Sequence, residues 1–215
     1  MNTYEIIQQA ELFVQEELGR DTTGHDWWHI VRVRNTAMLL ASRYPDADAF
    51  IVELAALLHD VADEKLNPSK EEGLAKVRGW LNTHQVEEQA MEHMMTIIST
   101  MSFNGGKNPP MDTIEGQIVQ DADRLDAIGA VGIARAFAYG GAKARPLHVP
   151  DQDFSELDYR AGSKSTIYHF YEKLLLLKDK MNTDFGRDLA EQRHQFMEQF
   201  LTQFYAEWNG ENLRS

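Results

Sequence analysis

The chain has 215 residues, with 43% hydrophobic and 26% charged side chains. These proportions exclude a disordered or fibrous chain and allow one domain large enough to bury a core without staples. Against 21 Lys and Arg stand 34 Asp and Glu, a formal net charge of -13, which argues against nucleic-acid backbones or anionic membranes as partners. Cysteine is absent, excluding a disulfide scaffold, a thiolate nucleophile and any Cys-ligated metal, so a bound metal must use His, Asp or Glu.

In chain order, Met1 to Gly19 is an acidic amphipathic stretch with Ile6, Ile7, Ala10, Phe13 and Val14 at helical steps, not a basic segment followed by an apolar signal core. No apolar run reaches the roughly 18 residues of a membrane span, and a cytoplasmic protein is expected. Helical stripes continue through Ile30, Val33, Ala37, Leu40 and Ala41, then Ile51, Leu54, Ala55, Leu58 and Ala62, then Leu74, Val77 and Leu81. Ala90, Met94, Ile97, Ile98 and Met101 form the next, with His84 at the predicted start of that helix. Ser102 to Pro110 carries the Gly and Pro punctuation of a loop. Ile114, Ile118, Ala122, Leu125 and Ile128 follow; Gly129 and Gly132 lack a preceding strand, so they read as close helix packing and not as a nucleotide-binding glycine motif. A long loop is expected from about Gly140 to Gly162, of a length often found in lids and binding elements. Ile167 to Leu175 and Leu189 to Phe204 mark two last helices, with Asn182-Thr183-Asp184 as break and cap between them. Phe196, Phe200, Phe204 and Trp208 read as core, and Trp27-Trp28 as core or pocket wall. Nothing alternates with period two, so the expected class is all-α, a helical bundle of about eight helices.

Hard-metal ligands stand where these stripes call for hydrophobes. His29 precedes Val33 by four residues, His59 follows Ala55 by four, and Asp123 follows Val119 by four, so all three share faces with inward positions. His59-Asp60 closes the apolar run Leu54 to Leu58, where an ionised carboxylate is costly without a partner. A divalent cation supplies one. Two imidazoles and two carboxylates make a mixed N/O site suited to manganese, iron, nickel, zinc or magnesium.

The order His, His-Asp, Asp resembles the HD superfamily of metal-dependent phosphohydrolases. The likeness rests on Gly-His-Asp-Trp-Trp-His around His29, Leu-Leu-His-Asp-Val-Ala-Asp around His59-Asp60 and Gln-Asp-Ala-Asp-Arg-Leu-Asp around Asp123, and extends through Ile-Tyr-His-Phe-Tyr-Glu-Lys near the C-terminus. The chain is similar to the bacterial single-domain HD hydrolases, some of which are nucleoside triphosphate pyrophosphohydrolases. The resemblance implies one HD-type domain over 1–215, with a metal-binding core at about 25–126 and C-terminal helices at about 163–208 completing it.

It also implies that His29, His59, Asp60 and Asp123 hold one divalent metal, manganese favoured, with Asp121 and Asp126 as competitors for the last place or as partners of the ligands. Asp63, three beyond Asp60, matches an acidic residue that orients the attacking water in several relatives; Glu64 stands beside it. Arg32, Lys65, Arg124, Lys164 and His25 are candidates for holding substrate phosphates, the arginines also being readable as structural ion pairs. The implied substrate is a small nucleotide-like molecule, with no nucleic acid or membrane partner and room for a homodimer. The reaction expected is pyrophosphate release from ribo- or deoxyribonucleoside triphosphates. Alternatives are a nucleotide monophosphatase, a cyclic-nucleotide or alarmone phosphodiesterase, a non-catalytic metal and nucleotide sensor, or a two-iron oxygenase drawing on His84 and His93.

Overall fold

Helical periodicity accounts for all regular structure among the described residues: nine α-helices and no strand. The structure, a computed structural model, describes residues 2–18, 26–64, 66–102, 108, 111–150 and 164–211. The helices are α1 Thr3–Leu18, α2 Trp27–Ala41, α3 Ala49–Leu58, α4 Lys70–Thr83, α5 Glu88–Thr100, α6 Ile114–Asp126, α7 Gly129–Ala142, α8 Thr166–Glu172 and α9 Asp184–Trp208. Short 3₁₀ turns span His59–Ala62, Leu174–Leu176 and Lys178–Lys180. No described helix is long and apolar enough to cross a membrane. Residues 151–163, most of the expected long loop, lie outside the described residues, as do 103–107, 109 and 110 of the first loop.

The chain divides into two compact units, Met1–Asp123 and Arg124–Ser215, with the division inside α6. In the first, α3 packs against α1, α2 and α5. Its sequence dictates that place: Ile51, Val52 and the whole run Leu54–Leu58 are buried, so it has almost no polar face and must be surrounded. The exception, Glu53, receives the guanidinium of Arg34, whose Nε donates to Oε1 at 2.8 Å. Asp48 caps α3, accepting from Phe50 N at 2.9 Å, and its own N–H donates to Glu115 of α6 at 2.9 Å. At its far end the helix tightens into the 3₁₀ turn that carries His59 and Asp60.

The second unit holds α7, α8 and α9 around an aromatic cluster in which Phe170 stacks on Phe200 at 5.8 Å between centroids and Phe137 packs edge-on to Phe200 at 5.9 Å. The predicted cap is present: Thr183 accepts from Gly186 N at 3.1 Å and starts α9. The aromatic stripe of α9 is not all core, because Phe196 is 47% and Trp208 45% exposed. α7 is the ninth helix, unread in the sequence because the stripe of α6 runs on to Ile128. The break between them is made by Ile128 in an extended conformation and by Gly129 at φ +76°, a left-handed geometry that favours glycine. A Cβ on Gly129 would also meet the Arg193 side chain of α9 at 3.0 Å. At Gly132 the close neighbour is not another helix but the Ala127 carbonyl, on the link entering α7.

His148 sits edge-on to Phe204, Tyr205 and Trp208, at 6.1, 5.4 and 5.1 Å between centroids. Desolvation there holds its imidazole below the ordinary value of 6.5. The unfolded chain therefore takes up this proton first as pH falls, so the stability that neutral His148 contributes is complete above about pH 6.5 and erodes below it. Melting curves from pH 7.5 to 5.5 should show a smaller acid loss of Tm for His148→Phe than for the unmodified protein; equal losses would contradict this.

Candidate metal centre

Three local structures in the first unit position the site. Asp26 caps α2, its carboxylate accepting the N–H of His29 at 2.9 Å, and this places His29 on the first turn, 1% exposed. The 3₁₀ turn His59–Ala62 then sets His59 and Asp60 side by side at the end of the buried α3. His59 Nδ1 lies 2.9 Å from Ala56 O; since a carbonyl only accepts, Nδ1 carries the proton and the Nε2 lone pair faces away. Asp123 stands on α6, half-buried where Asp121 is fully buried.

The four side chains converge. His29 Nε2 lies 3.3 Å from Asp60 Oδ2 and 3.5 Å from Asp123 Oδ1. His59 Nε2 lies 3.3 Å from Asp60 Oδ1 and 3.9 Å from the same Asp123 oxygen. The two rings are 5.4 Å apart at 67°. His29, His59 and Asp123 each bring one ligand atom within 4.8 Å of the others. A charge-assisted N–H···O bond would close to about 2.7–2.9 Å, and buried His59 Nε2 has no hydrogen-bond partner among the described residues. Donor atoms around a cation at about 2.0–2.2 Å stand roughly 3.0–3.6 Å from one another. Three of the four separations fall in that range and the fourth, His59 to Asp123, just beyond it; with the orphaned nitrogen they fit a divalent metal held by two imidazoles and two carboxylates.

Asp126, the competitor for Asp123's place, ion-pairs with Arg135 at 2.5 Å. Asp63 follows the 3₁₀ turn, its N–H donating to Asp60 O at 3.0 Å, with its side chain half-buried; Glu64 is exposed. Arg32 lies half-buried one turn beyond His29 on α2. In the second unit Arg124 donates to the Lys180 carbonyl, a structural bond, and exposed Lys164 lies over the Tyr168 ring at 5.9 Å. His25 and Lys65 lie outside the described residues. Of the two-iron candidates, His84 does not start α5 but caps the C-terminal end of α4, stacked on Trp80 at 3.9 Å between centroids. Half-buried His93 bonds Thr113 Oγ1 at 2.8 Å. Neither belongs to the metal cluster. The sequence reading missed Asn67, whose side chain bonds two carbonyls around the ligand turn; such bonds leave no spacing signature.

An HD domain is matched over residues 27–128. The chain is 44% identical to the Bacillus subtilis protein YpgQ over 199 residues, 91% of this chain and 90% of YpgQ. It is also similar to two solved structures. One is an HD-superfamily hydrolase from Bacillus thuringiensis, at 47% identity and TM-score 0.78, covering 97% of this chain and 99% of that one. The other is YpgQ in complex with ADP, at 42% identity and TM-score 0.75, covering 94% and 97%. The protein belongs to the HD-domain family of metal-dependent hydrolases. HD domains bind divalent metals, and the His-His-Asp cluster described above is present in this chain.

Proposed function

We propose that the protein hydrolyses a phosphoanhydride or phosphoester of a small nucleotide-like substrate, and that the leading reaction is pyrophosphate release from ribo- or deoxyribonucleoside triphosphates. The observation that carries this is the convergence of His29, His59, Asp60 and Asp123 on one point. That the related YpgQ was solved with ADP supports a nucleotide ligand. A divalent metal, manganese favoured, would be held by those four residues, where it neutralises phosphoryl oxygen charge and lowers the pKa of bound water. The protein supplies the rest. Asp63 orients the attacking water and takes its proton, with Glu64 adding local negative charge. Arg32, half-buried one turn beyond His29, is the leading candidate to grip the polyphosphate in an acidic protein, with His25 and Lys65 as further candidates.

ADP on a relative also favours a second reading, orthophosphate release from a triphosphate or from a shorter phosphate chain. One assay separates them. Metal-stripped protein resupplied with manganese is given ribo- and deoxyribonucleoside tri- and monophosphates, and pyrophosphate and orthophosphate are measured separately. Pyrophosphate as first product is expected; orthophosphate as first product would install the second reading. Tight nucleotide binding with neither product would make the protein a sensor.

A further inference from the structure

Asn67 lies between the 3₁₀ ligand turn and α4, outside the cluster itself. Its side-chain amide donates to Val61 O at 2.8 Å and to Asp63 O at 2.9 Å, committing both N–H groups of the carboxamide to carbonyls on either side of Ala62. Asp63 is thereby held on both sides: its N–H donates to Asp60 O at 3.0 Å, and its carbonyl accepts from Leu66 N at 3.0 Å as well as from Asn67. Its backbone rests at φ -63°, ψ 135°, the point where the chain leaves the turn, so these bonds set the direction of its Cβ. α4 closes behind. A Cβ on Gly73 would stand 2.8 Å from Asn67 Nδ2 and 2.7 Å from Ala62 O, so glycine is what lets α4 press the amide against the turn.

We propose that Asn67, backed by Gly73, is a positioning residue that aims the Asp63 carboxylate at the attacking water. This rests on the role given to Asp63 above. It acts downstream of the metal ligands: its bonds fall on Val61 and Asp63, while His59 is fixed separately by its own bond to Ala56. Loss of the amide should therefore slow the chemical step and leave metal binding in place.

The test uses full-length Asn67→Asp, which keeps the volume and removes both donors, with Asn67→Ala and Gly73→Ala, each in the unmodified and in the Asp63→Ala background. Tm, Mn(II) affinity by titration, and kcat and KM for a nucleoside triphosphate are measured. The expected result is a loss of kcat of roughly 10–100-fold, with KM and Mn(II) affinity changed less than about two-fold. In the Asp63→Ala background the same substitutions should cost nothing further, because the two residues act as one unit. If Asp63→Ala lowers kcat but the Asn67 variants keep it, or if the losses multiply, positioning by Asn67 is wrong while the role of Asp63 stands. If Asp63→Ala itself keeps full kcat, the water-orienting reading fails and the proposal with it. Lost Mn(II) binding, or failure of every variant to fold, would make Asn67 part of the scaffold of the ligand turn and overturn the proposal.

Discussion

Asp60→Ala should abolish turnover, by at least about a thousand-fold, because removing a ligand forfeits several kcal/mol of transition-state charge stabilisation at about 1.4 kcal/mol per decade. Among the described residues, Asp60 is the one whose two carboxylate oxygens each face a different imidazole, both at 3.3 Å. Without it His29 and His59 retain only the shared Asp123 oxygen, at 3.5 and 3.9 Å, and a site of two imidazoles and one half-buried carboxylate should not hold the metal against a chelator. The stability effect should have the opposite sign. A buried carboxylate set between two imidazoles is costly when no cation is present, so metal-stripped Asp60→Ala should melt no lower than the metal-stripped unmodified protein. Added Mn(II) should raise Tm only in the latter. A variant that retains Mn(II)-dependent turnover would overturn the metal assignment.

Gly132→Ala should cost about 3 kcal/mol, at the upper end of ordinary overpacking, and lower Tm by on the order of 10 °C. An added Cβ there would fall well inside contact distance of the Ala127 carbonyl oxygen and carbon. Those are backbone atoms on the tight link from α6 to α7, so relief requires moving the link and not a flexible side chain. The helix-propensity gain of Ala over Gly, about 1 kcal/mol, is too small to compensate. Gly79 supplies the control: it lies within α4 with nothing inside 4 Å of a built Cβ, so Gly79→Ala should be neutral or stabilising by up to about 1 kcal/mol. Equal Tm changes for the two variants, measured by calorimetry, would refute the packing argument.

The four converging side chains were legible because each interrupts an apolar stripe, and a charge or imidazole at an inward position needs a partner. The caps Asp26, Asp48 and Thr183 are open to reading on the same ground, since a side-chain oxygen before a helical stripe has one common use, and the expected break at Asn182-Thr183-Asp184 contains the last of them. What escaped was set by backbone conformation and tertiary contact. The division between α6 and α7 depends on Gly129 taking φ +76°, and no apolar spacing signals that. His84 was placed at the wrong helix because a polar residue between two stripes suits either end, and its stacking on Trp80 decides it. The outward turn of Phe196 and Trp208 reflects a rotation along α9 of 25 residues, over which a strict four-residue step drifts around the axis of a helix with 3.6 residues per turn.

His29 and Asp123 are more than ninety residues apart in the chain, and His59-Asp60 falls between them, yet all four meet at one point. A cation seated there closes two long loops at once, and closure entropy grows with loop length. In a chain with no cysteine, the metal is thus the covalent cross-link's counterpart, a reversible clasp whose fastening depends on how much free metal its surroundings supply.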